Sequence, residues 1–297
     1  MRIYQRTLAR PVEFKGIGLH TGISSSARIL PAGPHAGIVF RRADIGVDIP
    51  ASVENVVDTA YATVLSSQGA RISTVEHVLA ALYGMEIDNA VVEVDGPELP
   101  IMDGSALPVA RAIESGGLDE LPVRRRFLWI TKSEKFQRNG SMIAITPSQE
   151  LEILVTVDFP GTAIGKQWLK FTLTPESFLK EIAPARTFVL REQIDALWAA
   201  GLAKGGTLDN AIVVDGDTVH NTEGLRFRDE FVRHKLLDFL GDIALLGCPL
   251  RGFFLAVRPG HTVNRCLTEY LSGLAAPRIP ATPEAADCEP AKLQDTA

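Results

Sequence analysis

The sequence predicts an α+β fold built as two similar domains, each a sheet packed on a pair of helices in two layers. Three observations carry that expectation. A chain of 297 residues holds about two domains at roughly 150 residues each. Strand-like segments come in groups, without strict strand–helix alternation, and grouped strands beside helix pairs make α+β layers. The helix–strand–helix order that closes the first half also returns at the end of the second.

The first domain, residues 1–124, opens with strand-like segments at Arg6 to Phe14, Ser25 to Leu30 and Gly37 to Arg41, punctuated by Gly16, Gly18, Gly33 and Pro34. From Ser73 the period turns helical: Val75, Val78, Leu79 and Leu82 recur on one face, and Gly84 reads as the C-cap. A buried strand at Asn89 to Val94 and a helix near Leu107 to Glu114 follow, before Gly116-Gly117 and Pro122 end the half. The second domain, residues 125–275, starts with strands at Phe127 to Ile130 and Leu151 to Phe159. An insertion of βαβ type at about 186–214 carries a helix around Arg191 to Ala200 and a strand at Ala211 to Val214. A long helix from Asp229 to about Leu246, a strand at Gly252 to Val257 and a helix at Thr262 to Leu271 close it. Prolines 277, 280, 283 and 290 among small residues make 276–297 read as a disordered tail.

Composition narrows the function. Thirty-six acidic against 30 basic side chains give a net charge of −6 and a pI of about 5.6. That balance argues against a protein whose work is gripping nucleic-acid backbones. Cys248, Cys266 and Cys288 show no C-x-x-C spacing, which argues against a disulfide scaffold or a zinc knuckle. The N-terminus alternates polar and apolar residues and reads as a strand, not a signal peptide. The apolar run from Ala244 to Val257 is broken by Gly247, Pro249, Arg251 and Gly252, so no span of a bilayer is expected and the expected location is cytoplasmic.

Three segments could carry chemistry. In the long helix, His234, Asp238 and Asp242 share a sector roughly 80° wide, opposite Leu236, Leu237, Leu240 and Ala244. Two carboxylates one turn apart repel by roughly 0.2–0.5 kcal/mol, a repulsion that a cation along that face would reverse. His and Asp at i, i+4 can chelate one ion, although the same pattern fits a solvated polar stripe. Next, Ser73-Thr74-Val75-Glu76-His77 opens a helix. Ser73 and Glu76 fit a capping box; a ligating His beside a Glu also fits a metallohydrolase, with the Glu as general base. His77, His234 and Asp238 would leave a fourth tetrahedral position open. Finally, His261 follows Pro259-Gly260 at the mouth of the last helix, equally suited to function or to a surface role. His35 and His220 read as surface residues; His20, among Gly16, Gly18 and Gly22, could contact a ligand.

The segments Gly18-Leu19-His20-Thr21-Gly22, Arg71 to His77, Ile101-Met102-Asp103-Gly104-Ser105, Ala185-Arg186-Thr187-Phe188, Asp229 to Lys235 and Gly260-His261 occur in this order. As a set they resemble the UDP-3-O-acyl-N-acetylglucosamine deacetylases, zinc amidases of lipid A synthesis in Gram-negative bacteria. The resemblance spans about residues 2 to 271. It implies an active site between the two domains and Zn2+, or Fe2+ in the cell, on His77, His234 and Asp238. It further implies Glu76 as general base, His261 as general acid or oxyanion stabiliser, Asp242 orienting His261, and Thr187 hydrogen-bonded to the oxyanion. Lys235, Phe159, Phe188 and His20 fall among the substrate contacts. The insertion corresponds to the passage for the acyl chain, which Val189, Ile194, Leu197, Trp198 and Leu202 would suit. Ala62 replaces a cysteine that some relatives carry near the metal. The implied partner is an acylated UDP-amino-sugar, handled by a monomer with at most peripheral membrane contact and no nucleic acid. Two rivals stand beside this reading: a zinc amidase for a different acylated amino sugar, and a non-catalytic nucleotide- or RNA-binding module.

Overall fold

A computed structural model describes residues 2–275; the segment 276–297, expected as a disordered tail, lies outside the described residues. The first half runs β1 (Tyr4–Leu8), β2 (Val12–Ile17), β3 (Ser24–Pro31), β4 (Ile38–Arg42), β5 (Val47–Pro50), β6 (Val56–Asp58), β7 (Val64–Ser67), β8 (Ala70–Ile72), α1 (Glu76–Gly84), β9 (Ala90–Val94), α2 (Leu107–Gly116) and β10 (Leu118–Arg124). The second runs β11 (Leu128–Trp129), β12 (Glu134–Arg138), β13 (Ser141–Thr146), β14 (Leu151–Phe159), β15 (Gly165–Thr172), α3 (Pro175–Ser177), β16 (Phe188–Leu190), α4 (Arg191–Ala199), β17 (Ile212–Asp215), β18 (Thr218–Val219), α5 (Glu230–Ala244), β19 (Leu250–Val257) and α6 (His261–Ala275).

The two main sheets share one topology. In the first the order is β2-β3-β9-β4-β5 and in the second β12-β13-β19-β14-β15. Each time the last strand of the set enters the middle, antiparallel to one neighbour (β3 or β13) and parallel to the other (β4 or β14). Each middle strand follows one helix and precedes another, α1–β9–α2 and α5–β19–α6. The internal similarity read from the order of elements is thus present in the strand pairing itself. Period-2 burial holds these strands in register: in β14 Leu151, Ile153, Val155 and Val157 point into the core, while the residues between them do not.

Helices α1 and α5 pack against each other at the centre of the molecule. Every residue of α1 except Tyr83 is buried, as expected of a helix apolar nearly all round. Two glycines set how closely it is approached. A Cβ on Gly241 of α5 would land on the Glu76 carbonyl, and one on Gly84 would land inside the Phe178 ring. Gly84 therefore serves close packing and not a left-handed cap, since Met85 is the C-cap with φ −87°.

Other differences from expectation have local causes. The segment Arg6 to Phe14 is two strands, because the chain leaves β1 to pair with β10 and re-enters at β2 for the main sheet. Strands β5 to β8, β10, β12, β13, β15 and β18 are not among those the sequence predicts. In β12 every residue but Phe136 is exposed, so the sequence lacks the apolar beat that marks a strand. In the segment 188–219, β16 and β17 are parallel with α4 crossing between them, and β18 extends the pair.

Candidate active site

The centre of the site is the meeting of α1 and α5. His77 stands in the first turn of α1, and His234 and Asp238 lie one turn apart on α5. One donor atom from each lies within 4.8 Å of the others. His234 Nε2 is 3.4 Å and His77 Nε2 3.9 Å from Asp238 Oδ1, and the two rings meet edge to face at 5.1 Å. All three residues are buried. Ala185, just before the insertion, offers its carbonyl to His234 Nδ1 at 3.0 Å. That carbonyl can only accept, so Nδ1 carries the proton and the Nε2 lone pair is free for a cation. Burial and the neighbouring His234 push His77 down to about 3, and burial lowers His234 as well. Burial raises Asp238, but the Lys235 ammonium and His234 override it and hold the carboxyl below its usual range. Two neutral imidazoles and one carboxylate form the protonation state that a divalent ion requires. His77 Nδ1 is buried with no hydrogen-bond partner among the described residues.

Beside this set stand Glu76, Asp242 and His261. Glu76 is buried, and its Oε2 accepts only the Thr63 backbone N–H, at 3.1 Å. Burial raises its pKa to about 7; Asp238 and Asp242 add to the rise and His261 opposes it. The capping-box alternative does not form. Thr74 is left-handed at φ 59°, Val75 is the N-cap, and the Ser73 hydroxyl turns to the Pro97 carbonyl. Asp242 sits behind His261 and accepts from its Nδ1 at 2.8 Å, from Asn264 Nδ2 at 2.8 Å and from Thr63 Oγ1 at 2.6 Å. Burial works to lower the His261 pKa, but Asp242, Asp238 and Glu76 carry it to about 10.

These groups open onto one cavity of about 420 Å³, a volume ordinary for a small-molecule site. Its lining contains Glu76, His77, His234, Asp238, His261, Thr187, Lys235, Phe159, Phe188 and His20. Of the expected site residues only Asp242 stands outside it, supporting from behind. Phe188 is edge-on to Phe159 at 5.7 Å and to Phe231 at 5.1 Å, and Lys235 Nζ lies 5.4 Å from its ring centre while donating to Asp238 Oδ2 at 2.8 Å. Thr187 is fixed by its N–H to the Gly104 carbonyl at 2.8 Å, a contact from the first half. His20 rides on a loop whose N–H groups at residues 20 and 21 both donate to buried Glu98 at 2.8 Å. The insertion departs from expectation in one respect. Val189, Ile194, Leu197, Trp198 and Leu202 do not border the cavity; Thr187, Phe188 and Gln193 do. Leu197 is spent on the insertion's own packing, and Trp198 is exposed.

Sequence reasoning missed Thr63, Asn264, Glu98 and the Ala185 carbonyl. No spacing rule marks them, because each acts across the fold: Thr63 and Asp242 are 179 residues apart. His35 and His220 do lie away from the cavity, bonded to Gln5 and Asp215.

Comparison with known proteins agrees with the geometry. The family profile described as UDP-3-O-acyl N-acetylglycosamine deacetylase matches residues 5–272. A UDP-3-O-acyl-N-acetylglucosamine deacetylase of Anaeromyxobacter dehalogenans is 45% identical over 276 residues, covering 93% of this chain and 90% of its own. Proteins of the same name from Myxococcus xanthus and Brucella melitensis are 45% and 42% identical, each covering 89% of this chain, with 84% and 93% of their own lengths matched. The chain belongs to the UDP-3-O-acyl N-acetylglycosamine deacetylase family.

Proposed function

We propose that this chain hydrolyses the N-acetyl group of UDP-3-O-acyl-N-acetylglucosamine, yielding acetate and the free 2-amino sugar, as a step of lipid A biosynthesis. The observation that carries the reading is the convergence of His77 with His234 and Asp238 from distant stretches of chain, beside the buried carboxylate of Glu76. The donor set suits Zn2+, and two imidazoles with a carboxylate also suit Fe2+. Bound there, the ion supplies positive charge that polarises the acetamide carbonyl and makes water more acidic.

The chain's own groups do the rest. Glu76, with Oε2 pinned by the Thr63 N–H, takes the proton of the attacking water on Oε1. His261, held charged by Asp242, and the Thr187 hydroxyl stabilise the oxyanion of the tetrahedral intermediate; as that intermediate collapses the C–N bond breaks, acetate forms, and the departing amine nitrogen takes a proton from Glu76 or His261. Lys235, anchored on Asp238, and the Phe159–Phe188 pair hold the nucleotide-sugar portion, with His20 on the facing loop. The groups named here lie within one chain, so the proposed site needs no second copy to complete it. No helix among the described residues is long and apolar enough to cross a membrane, in keeping with work on a cytoplasmic UDP-sugar.

The deciding assay measures acetate release from the acylated UDP-sugar. Chelation should abolish it, and Zn2+ or Fe2+ should restore it. His234→Ala should lose stoichiometric metal and turnover together. Activity indifferent to chelation overturns the metal site, and equal turnover of the unacylated sugar overturns the assigned substrate.

A further inference from the structure

Thr63, behind the cavity lining, touches both the proposed base and the carboxylate that holds His261. Its backbone N–H donates to Glu76 Oε2 at 3.1 Å. Its hydroxyl donates to Asp242 Oδ1 at 2.6 Å and stands 3.4 Å from His261 Nδ1. It is buried at 1% exposure, in the short segment between β6 and β7, whereas Asp242 and His261 belong to the other half.

We propose that Thr63 is a positioning residue for the deacetylation: its hydroxyl orients Asp242 and, through it, aims His261 into the cavity. The donor count supports this. An ionised carboxylate only accepts. Asp242 Oδ2 already takes His261 Nδ1–H and Asn264 Nδ2–H, both at 2.8 Å, and Oδ1 takes the Thr63 hydroxyl. Because that hydroxyl proton is committed to Asp242, its oxygen faces His261 Nδ1 as an acceptor, which favours Nδ1–H. Thr63 thus fixes the rotation of the carboxylate and, with it, the direction in which the imidazolium is held. The backbone contact to Glu76 does not depend on the side chain, so changing the side chain separates the two roles.

This inference rests on the reading of His261 as the charged group that meets the substrate, and the test keeps the two apart. Thr63→Val, which removes the hydroxyl and little volume, is compared with Thr63→Ser, His261→Ala and the Thr63→Val/His261→Ala double variant, all in the metal-loaded full chain. Thr63→Val should lower kcat about 10- to 100-fold, the loss of one charge-assisted hydrogen bond to a buried carboxylate. KM and bound metal should stay unchanged, and Thr63→Ser should restore most of the rate. In the His261→Ala background Thr63→Val should cost no further rate, because the hydroxyl acts only through that imidazole. Wild-type kcat in Thr63→Val, a full additive loss in the double variant, failure of serine to rescue, or loss of metal would each overturn the proposal. If Thr63→Val does not fold, Thr63→Ala passes through the same cycle. If His261→Ala itself keeps full kcat, the assignment of His261 fails first, and that result is distinct from a silent Thr63→Val.

Discussion

The two halves share a strand order, and each opens its central helix with a buried glutamate: Glu76 begins α1 and Glu230 begins α5. Their surroundings differ. Glu230 accepts the Arg186 side chain at 2.9 Å and the backbone N–H groups of Arg186 and Arg226 at 3.0 and 2.6 Å. Glu76 accepts one backbone N–H; burial, with Asp238 and Asp242 adding to it, raises its pKa to about 7. A buried carboxylate saturated by a guanidinium and amides is a structural joint. One left with a spare oxygen at a cavity is available for chemistry. On the shared strand order, then, one glutamate is tied up as a brace, and the other is the one that the proposed function uses as a base.

The sharpest way to break this comparison is to neutralise each glutamate in turn. Glu76→Gln should keep the fold and the metal while kcat drops by about 10²–10⁴-fold, the range for a lost general base. Glu230→Gln should instead destabilise the protein by about 1–3 kcal/mol, since it removes one of the two carboxylates that hold the buried Arg186 guanidinium and leaves Glu223 as the other. The fraction that remains folded should turn over at near the normal rate. Thermal unfolding and rate per bound metal, measured on both variants, decide the matter. A Glu230→Gln enzyme that is stable but inactive would reverse the assignment.

A second test concerns pH. Glu76 has a folded pKa near 7 against an ordinary 4.5, so below 4.5 both folded and unfolded states are protonated and the group is neutral for stability. Between 4.5 and 7 the unfolded chain releases its proton first, and stability falls as pH rises. Above 7 the penalty is constant, at about 3 kcal/mol from 1.36 kcal/mol per unit. Metal-free Glu76→Gln should therefore be more stable than metal-free wild type at pH 8 by up to about that amount, and the gap should close by pH 4.5. A gap that does not depend on pH would mean that the carboxyl is not desolvated as the structure has it.

How much of this the sequence already displayed follows from how local each feature is. His234, Asp238 and Asp242 declare themselves because one helix turn separates them, and geometry at that range needs no tertiary information. Glu76 was ambiguous for the same reason: Ser73-x-x-Glu76 is locally a capping box. Only the left-handed Thr74, held by its hydroxyl to Glu98 at 3.0 Å, turns Ser73 away. The repeated helix–strand–helix order was readable, but the middle position of β9 and β19 was not, since pairing between distant strands leaves no period in the chain. Thr63 and Asn264 were invisible too, because their partner lies 179 and 22 residues away and neither spacing belongs to a known motif.

The smallest effect tests how the halves are brought together. Gly241 lies one residue before Asp242, and its missing side chain lets α5 lie directly on the Glu76 carbonyl. Gly241→Ala forces a methyl into that contact, and the obstruction is backbone, which cannot swing aside. The helices must part by roughly an ångström, which places the cost at the upper end of the about 1–3 kcal/mol for overpacking. Alanine's better helix propensity, about 1 kcal/mol over glycine, offsets part of this. The net loss of stability should be modest. The loss of rate should exceed what stability alone would give, because Glu76 and His77 ride on one helix and His234, Asp238 and Asp242 on the other. As a control, Gly273→Ala on α6, where a Cβ meets nothing within 4 Å, should keep the rate and gain stability from propensity alone. If both variants keep full kcat, the spacing of α1 and α5 is not what sets the alignment of base and ligands.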